Sequence, residues 1–377
     1  MRVDAKEFFR AVEYVAKARA SGNAIPLLSG VRIDAEPGRL RVSATDLEVL
    51  VETEIPAVGD GGWATVVDPT ALKGIKGLAE EFVWLGPREE RDCVDLVVSM
   101  GDEEAQLSGV KRESLEDWPN LRAEYDRLYG LAEMGPRETT LLPHLLAHAS
   151  DSDQRPVMCG VYLDAYGLTA TDASRLLHVP TPGVALDGID GAILSAGGLR
   201  MLMASPYKAD RVTVRIEGNE PEAEKPGPKI ARLEAGPVRI WARLIEGRYP
   251  NYREVVRHRP EPQFVIEPDQ FDRIRRVLTA SDRLARRGPA VLRVAFEENQ
   301  VGLETSVADS GTLRARYPVR RWNGTAQAEA HYQARFLRDM LDTFEALEEP
   351  IYAAVGSPAL FEGESGVVCR IMPWRVQ

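Results

Sequence analysis

Three residues with hydrolase-type side chains lie close together in the stretch TDASRLLH, namely Asp172, Ser174 and His178. The members of a Ser-His-Asp triad normally meet from separate loops, and residues so close in one short segment do not by themselves build a triad. The chain also has no G-x-S-x-G elbow, no G-x-x-x-x-G-K-[ST] phosphate loop and no G-x-G-x-x-G pattern for a dinucleotide. The sequence therefore predicts a protein that is not an enzyme.

Metal ligands and cofactor motifs are equally scarce. Cys93, Cys159 and Cys369 are isolated from one another, with no C-x-x-C spacing, and the five histidines form no H-E-x-x-H pattern. This usage favours a reducing cytoplasm, with no metal and no cofactor. There is no apolar run of about 18 residues and no signal-peptide pattern at the start, so we expect a cytoplasmic protein without a membrane span.

The charge balance limits the choice of partners. The chain has 377 residues and a net charge of −11, which argues against a protein coated by nucleic acid. It does not exclude acidic outer surfaces combined with one basic face. At this length we expect two or three domains.

The elements that must position these residues are predicted to form an internal repeat. The segment LSGVRIDAEPGRLRVSATDLEVL (28–50) matches MCGVYLDAYGLTATDASRLL (158–177), and GPAVLRVAFEENQVGLETS (288–306) has the same strand-turn-strand pattern. A further echo pairs LEDWPNLRAEY (115–125) with EGRYPNYREVV (246–256). Proline and asparagine suit a turn that leaves one domain for the next.

Two helices are predicted in each third of the chain, with alternating strands between them. The predicted helices cover 4–18, 68–81, 140–150, 195–206, 267–287 and 331–349, and Asp68 and Ser195 are suitable N-caps. The pattern indicates an α+β unit repeated three times, with domains at 1–121, 122–253 and 254–377. Unrelated domains with coincidental echoes are the alternative.

The sequence resembles the bacterial sliding clamp, the beta subunit of DNA polymerase III, over its whole length. The matching segments are NAIPLLSGV (23–31), SATDLEVLVETEIPA (43–57), KGL (76–78), TATDASRL (169–176), LIEGRYPNYREVV (244–256), YQARFL (332–337) and IMPWRV (371–376). The resemblance implies a DNA-clamp fold of three repeated domains, each with two helices packed on antiparallel sheet, that closes as a ring-shaped homodimer. It implies a processivity factor that encircles duplex DNA without reading its sequence and performs no chemistry.

Basic residues on the predicted helices are candidates for contacts with DNA phosphates. By this resemblance and by their helices, the DNA-facing candidates are Lys17, Arg19, Lys73, Lys76, Arg200, Arg273, Arg276 and Arg335. Arg286 and Arg287 extend the same basic helix. For any one of these residues, a solvated helix face is an equally good interpretation.

The resemblance further implies a cleft between the second and third domains for apolar-acidic peptides of partner proteins. Those partners would be the DNA polymerase III alpha subunit, the clamp loader and other proteins with a clamp-binding motif. The residues carried over by motif, with their departures, are Met158, Thr171, Ala173, Ser174, Arg175, Leu176, Pro250, Glu254, Val255, Arg370, Met372, Pro373 and Trp374. Arg175 is expected to meet the acidic part of the peptide, while core packing is the alternative for Met158 and Leu176.

Four departures from the family pattern fall at this cleft. Ala173-Ser174 stands where Gly-His is frequent, Glu254 where a basic residue is common, Arg370 where an apolar residue is common, and Trp374 where a smaller apolar residue is common. They suggest an alternative, a variant or accessory clamp with altered binding of partners or inhibitors. A clamp-like protein that has lost ring closure is a second alternative.

Overall fold

The structure is a computed structural model of the 377-residue chain. It describes all residues except 22–24, 91, 120, 123–124, 224–225, 286–287, 298, 308–310, 322–327 and 376–377. Arg286 and Arg287, which the sequence placed on a basic helix, lie outside the described residues. The same holds for parts of two segments that carried the resemblance, at 23–24 and 376, and for residues 120 and 123–124 of the echo at 115–125.

The first third of the chain contains a helix pair and eight strands. Its elements are β1 (Arg2–Asp4), α1 (Ala5–Val15), β2 (Val31–Glu36), β3 (Arg39–Thr45), β4 (Val49–Val58), β5 (Trp63–Val67), α2 (Pro69–Ile75), β6 (Phe82–Glu90), β7 (Cys93–Met100), β8 (Glu103–Lys111) and the short α3 (Arg112–Glu116).

The middle third follows the same plan. Its elements are β9 (Arg127–Met134), α4 (Pro136–His148), β10 (Gly160–Asp164), β11 (Gly167–Thr171), β12 (Arg175–Pro180), β13 (Ala185–Leu186), β14 (Ala192–Ser195), α5 (Ala196–Met203), β15 (Val212–Asn219), β16 (Gly227–Ala235) and β17 (Val238–Arg243).

The last third begins with a short helix and ends with a strand. Its elements are α6 (Arg253–Arg257), β18 (Phe264–Ile266), α7 (Phe271–Leu284), β19 (Val291–Glu297), β20 (Gln300–Val307), β21 (Gly311–Pro318), β22 (Arg320–Arg321), β23 (Ala328–Gln333), α8 (Ala334–Glu345), β24 (Ile351–Ala354), β25 (Ala359–Glu362) and β26 (Val368–Ile371).

All six predicted helices are present, with shifted ends. Asp68 accepts a hydrogen bond from the Thr70 N–H at 2.8 Å, and Ser195 accepts one from the Gly198 N–H at 3.4 Å, so both predicted N-caps are confirmed. The helix predicted at 331–349 begins only at Ala334, because residues 331–333 belong to β23. The helix predicted at 140–150 begins earlier, at Pro136, where proline fits the first turn.

Contacts between Cα atoms divide the chain into two compact units. The first contains Met1–Gly135, Ala185–Ile189 and Leu194–Leu244, and the second contains Pro136–Val184, Asp190–Ile193 and Ile245–Gln377. The division at 121/122 and 253/254 into three domains stays a prediction.

In the first unit, one antiparallel sheet joins strands from two thirds of the chain. The order β13-β9-β15-β16-β17-β4-β1-β6-β7-β8 runs through the pair β17–β4, in which Trp241 lies opposite Leu50. Helix α1 covers this sheet with an apolar face that includes Phe8, Phe9 and Val12, all buried.

In the second unit, the strands β10, β11, β12, β26, β25, β24, β18 and β22 are hydrogen-bonded in this order, and β21-β20-β19-β23 form a separate sheet. The pair β12–β26 brings the last strand of the chain beside the middle third, with Arg370 opposite Leu176. It is the counterpart of β4–β17 in the first unit.

The turn after each Ala-Thr-Asp shows that the repeat extends to single hydrogen bonds. Asp46 Oδ1 accepts from the N–H groups of the residues two and three further on, at 3.0 and 2.8 Å. Asp172 Oδ1 does the same, both at 2.9 Å. Leu47 and Ala173 follow these aspartates with φ of 80° and 73°. The same turn thus occurs twice, with a left-handed backbone conformation at the matching position, which confirms the sequence match.

Candidate functional site

Two polar side chains of the TDASRLLH stretch, Asp172 and His178, form hydrogen bonds within the fold. The Asp172 carboxylate binds backbone N–H groups and the Arg175 Nε, at 3.0 Å. His178 is buried, and its Nδ1 lies 2.9 Å from Thr169 Oγ1. Burial lowers the pKa of His178 to about 4, so this imidazole is neutral near pH 7. The contacts of Asp172 and His178 are therefore not those of a triad.

Arg175, which the resemblance assigned to the acidic part of a peptide, is buried. Its guanidinium binds Asp172, Asp339 and the Ala147 carbonyl, and it lies 4.5 Å from the centre of the Phe336 ring. Only 2% of the side chain is exposed. An arginine so bound ties β12 to α4 and α8, and it has no donor left at the surface for a peptide.

The segment after β26 presents two large apolar side chains to solvent. The Met372 N–H donates to the Ser174 carbonyl at 2.8 Å, and the Trp374 N–H donates to the His331 carbonyl at 2.6 Å. Met372 is 44% exposed and Trp374 is 43% exposed. Because hydrogen bonds hold the backbone at both residues, the two side chains form an apolar surface that is already present without a partner.

The YPNYR connector is held down by a buried carboxylate. Tyr249 and Tyr252 pack with Leu176, and the Tyr249 ring stacks on Tyr162 at 4.6 Å. Tyr252 Oη and Arg253 Nη2 each donate to Asp164 Oδ2 at 2.8 Å. This hydrogen bond to Asp164 raises the pKa of Arg253. The two tyrosines are buried, whereas Pro250 between them and Glu254 and Val255 after them are exposed.

The WPNLR connector of the first unit is attached in the same way. Trp118 and Leu121 are buried, and Arg122 forms an ion pair of 2.5 Å with the buried Glu52. Burial lowers the pKa of Arg122, and the negative charge of Glu52 acts in the opposite direction. In both connectors the arginine of the motif therefore binds a buried acidic residue on a strand.

The predicted cleft residues of the second unit separate into a surface and a layer beneath it. The exposed ones are Ala173, Ser174, Pro250, Glu254, Val255, Met372 and Trp374, Pro373 is partly buried, and Met158, Thr171, Arg175, Leu176 and Arg370 are buried. We call Pro250, Val255, Met372 and Trp374 the docking face. Core packing, the alternative for Met158 and Leu176, agrees with their burial.

Arg370 lies below the docking face with few acceptors. It is 1% exposed, its Nη2 donates to the His258 carbonyl, and its Nε and Nη1 have no hydrogen-bond partner in the described part of the chain. Burial lowers the pKa of Arg370.

Sequence reasoning missed the residues that hold the docking face in place. Asp164, Tyr162 and Arg253 carry no functional motif of their own. The available signal was the repeat itself: the aspartate of SGVRID, Asp34, recurs as Asp164 in CGVYLD, and the arginine of WPNLR, Arg122, recurs as Arg253.

In the first unit, the predicted DNA-facing residues lie on exposed helix surfaces. Lys17 and Lys73 line a groove of about 480 Å³ between α1 and α2. Within the described residues neither lysine forms an ion pair. Lys76 Nζ forms one with Glu13 Oε1 at 2.7 Å, and Arg19 Nη1 lies at the longer distance of 4.0 Å from Asp68 Oδ1. Arg200 is exposed on α5.

In the second unit, ion pairs divide the arginines of α7 and α8. Arg275 binds Asp272, Asp342 and Glu345, and Arg338 binds Asp282 at 2.5 Å. The predicted Arg273, Arg276 and Arg335 remain exposed, with Arg335 3.7 Å from Asp339. The exposed arginines of α7 and α8 thus include the three predicted to face DNA, and Arg283 is exposed as well.

Two further observations bear on the class of protein. Among the residues that the structure describes, no group of three or more His, Cys, Asp or Glu is arranged to hold a metal ion. None of its described helices is long and apolar enough to cross a membrane.

Comparison with solved structures defines the fold class. The chain matches the Caulobacter crescentus beta sliding clamp with a TM-score of 0.80 at 20% identity, covering 100% of this chain and 98% of that one. It matches the Bacillus subtilis DNA polymerase sliding clamp with a TM-score of 0.80 at 18% identity, covering 100% and 99%. The Bartonella birtlesii clamp, solved bound to griselimycin, gives 0.79 at 21%, covering 100% of both chains. The protein therefore has the α+β DNA-clamp fold.

Sequence comparison finds similarity to the same proteins. Residues 1–122 match the family model described as the N-terminal domain of the DNA polymerase III beta subunit. The beta sliding clamp of Caulobacter vibrioides is 24% identical over 405 aligned residues, covering 100% of both chains. That of Staphylococcus aureus is 21% identical over 393, covering 95% of this chain and 94% of the relative. The predicted resemblance to the bacterial sliding clamp is confirmed.

Proposed function

We propose that this chain is a DNA sliding clamp, a processivity factor that encircles duplex DNA in the cytoplasm and tethers the replicative polymerase and other partners to it. The observation that carries the proposal is the match of the whole chain, in sequence and in fold, to beta sliding clamps. The clamp itself performs no chemistry, and we propose three domains with the boundaries predicted above.

Ring closure needs a homodimer, and the sheet edges fit a head-to-tail one. Strand β8 lies at one end of the sheet of the first unit, and β21 lies at one end of the four-stranded sheet of the second unit. The exposed face of β8 carries Glu104, with Glu103 beside it, and that of β21 carries Arg314 and Arg316. Acidic and basic edges favour pairing of β8 with β21 of a second copy over pairing of like edges.

The exposed arginines and lysines support contact with DNA phosphates without sequence readout. Lys17, Lys73, Arg200, Arg273 and Arg276 keep their charges in solvent on helices. Contacts of this kind are screened by salt and break easily, which sliding requires.

Partner docking is proposed at the docking face, for apolar peptide segments of the polymerase alpha subunit, the clamp loader and other clamp-binding proteins. Its four members are apolar and exposed, which suits a peptide surface. The buried Arg370 and the exposed Trp374 favour a second candidate, a variant or accessory clamp whose choice of partner or inhibitor is altered.

Two measurements test the proposal. Sedimentation should give a stable dimer near twice 41.7 kDa, whereas a monomer would favour a clamp-like protein without ring closure. The protein loaded on nicked circular DNA should stay bound and should leave when the circle is linearised. Retention on linear DNA would contradict topological binding.

A further inference from the structure

Two aromatic side chains of β6 lie in solvent on the sheet of the first unit. Phe82 is 40% exposed and Trp84 is 56% exposed, whereas Val83 and Leu85, which alternate with them, are buried. Side chains along a strand point alternately to the two faces of its sheet. Phe82 and Trp84 therefore belong to the face opposite the core, and their apolar area is available to a partner.

The strand register continues this face onto β1 and β4, since Trp84 lies opposite Arg2 and Arg2 lies opposite Val58, which is 61% exposed. Opposite residues of antiparallel strands share a face of the sheet. The Arg2 guanidinium lies 5.0 Å from the centre of the Phe82 ring. Pro56, two residues before Val58, is exposed on the same side. We call Pro56, Val58, Phe82 and Trp84 the apolar patch.

Beside Trp84 the face has room for a side chain of a partner. Gly86 is the next residue of β6 on this face, and a Cβ built on it would meet no atom within 4 Å apart from those of its two chain neighbours. Val97 lies opposite Gly86 on β7 and is partly exposed. The face therefore has a shallow depression over Gly86 and Val97. Large aromatic residues next to such depressions are frequent hot spots of protein interfaces.

One end of the apolar patch is acidic. Glu80 and Glu81 directly precede β6, and Asp102 lies on the adjoining hairpin between β7 and β8; all three are exposed. The Glu80 carboxylate reaches this hairpin, since it lies 3.9 Å from the Cβ position of Gly101. Within the described residues none of the three carboxylates forms an ion pair. They outnumber the positive charge of Arg2, so a basic group is attracted to this end.

We propose that the apolar patch is a second protein-binding surface, which takes partner segments that carry apolar side chains next to basic ones. The apolar side chains cover Phe82 and Trp84 and enter the depression over Gly86, and the basic side chains meet the carboxylates of Glu80 and Glu81. The surface lies in the first unit and shares no residue with the docking face. The inference therefore goes beyond the proposed clamp function and does not depend on it.

The test uses two N-acetylated, C-amidated peptides with the same core of Leu and Phe, one ending in lysines and the other in glutamates. Titration calorimetry with the full chain should show that the lysine peptide binds at least about tenfold more tightly. Trp84→Thr should weaken this binding about tenfold or more, since an aromatic anchor is lost. Trp374→Thr removes a tryptophan of similar exposure from the docking face, and as the matched control it should leave the binding unchanged.

The acidic end is tested separately. Glu80→Gln with Glu81→Gln should bring the affinities of the two peptides close together, because the attraction for lysine and the repulsion of glutamate are both reduced. Asp151→Asn with Asp153→Asn removes two exposed carboxylates from the second unit and is the control, which should keep the difference. Equal effects of the two double variants would show that net charge alone selects the peptide, and would overturn the assignment of the acidic end.

Two further results would overturn the inference. If neither peptide binds, or if Trp374→Thr weakens binding as much as Trp84→Thr, the apolar patch is not the surface that binds the peptide. If sedimentation shows that Trp84→Thr abolishes self-association of the wild type, a second copy of the chain covers the patch. Retention on nicked circular DNA tests the clamp function by itself and should be the same for Trp84→Thr and the wild type, so failures of the two proposals are distinguishable.

Discussion

At the scale of single residues, two positions carry backbone strain that a sequence does not reveal directly. Leu47 and Ala173 have φ of 80° and 73°, a conformation that side chains with a Cβ rarely adopt. Both follow an aspartate whose carboxylate organises the turn, so the surrounding hydrogen bonds impose the conformation. At position 173 this is also a physical reason why glycine would be favoured.

We predict that Ala173→Gly stabilises the protein by about 0.5–1 kcal/mol. The left-handed conformation costs alanine roughly 1–2 kcal/mol, which exceeds the entropy that glycine loses on folding. Urea unfolding measures the change. Ser174→Gly, at the adjacent exposed position with ordinary φ, is the control and should be slightly destabilising. A shift of both variants in the same direction would contradict the explanation.

How far sequence reasoning reached is also clearest for single residues. The repeat, the helices and their caps followed from apolar spacing and local capping chemistry, which are properties of neighbouring residues. Arg175 was predicted to meet the acidic part of a peptide, and its pairing with Asp339 was not foreseen, because Asp339 lies 164 residues away and nothing local indicates the pair. The two nitrogens of Arg370 that have no partner within the described residues could not be predicted either, because their burial depends on the distant segment at His258.

At the scale of elements, the connector and α6 depend on one buried carboxylate. Asp164 accepts from Tyr252 and Arg253, and through them fixes the segment that carries Pro250 and Val255.

Asp164→Asn should destabilise the protein by about 2 kcal/mol or more, because Arg253 would lose its ionic partner and the buried hydrogen bonds would weaken. Amide hydrogen exchange should accelerate at residues 252–257. Asp190→Asn is the control, since the side chain of Asp190 is exposed and only its carbonyl meets Arg253. Equal exchange rates in the two variants would show that Asp164 does not hold the connector.

Two buried histidines couple the same region to pH. His148 Nδ1 bonds to the His144 carbonyl at 2.8 Å, and its Nε2 faces Cys369 Sγ at 3.6 Å. Burial first, and then the Arg175 charge, lower the pKa of His148 to about 4, while burial raises the pKa of the Cys369 thiol to about 12. Both groups are therefore neutral near pH 7 and form a plain hydrogen bond.

The stability of the protein should fall as pH decreases from about 6.5 to about 4. In this window the unfolded chain binds protons on His148 and His178 while the folded chain does not, and each histidine contributes on the order of 3 kcal/mol across it. Thermal unfolding against pH, compared with His148→Gln, should show the shallower slope in the variant. NMR titration of the wild type with a His148 pKa near 6.5 would contradict the prediction.

At the scale of the whole molecule, dimerisation should depend on opposite charges at two sheet edges. Arg314→Glu with Arg316→Glu should convert the dimer into monomers at micromolar concentration, because like charges would face each other across the proposed strand pair. Glu103→Arg with Glu104→Arg should do the same. Combining all four changes should restore the dimer in sedimentation, and failure to restore it would argue against pairing of β8 with β21.

DNA contact should depend on Lys17 and Lys73, two helix lysines without an ion pair in the part of the chain that the structure describes. Lys17→Ala with Lys73→Ala should weaken sequence-independent duplex binding and lower the slope of log K against log salt by roughly 1–2, since up to two phosphate contacts are lost. Lys111→Ala with Arg211→Ala removes equal charge from exposed positions at the end of β8 and just before β15, and is the control. Equal losses in both double variants would show that net charge, and not the helix surface, governs binding.

The two connectors allow the docking face of the second unit to be compared with the matching position in the first unit. At the first, the position matching Arg370 is Trp241, which packs with Leu50, Leu121 and Tyr125 and is 6% exposed. The same scaffold thus exists once as a filled site and once as a site with unused donors. A compound designed against the copy with Arg370 could therefore be tested for selectivity against the copy with Trp241 in the same chain.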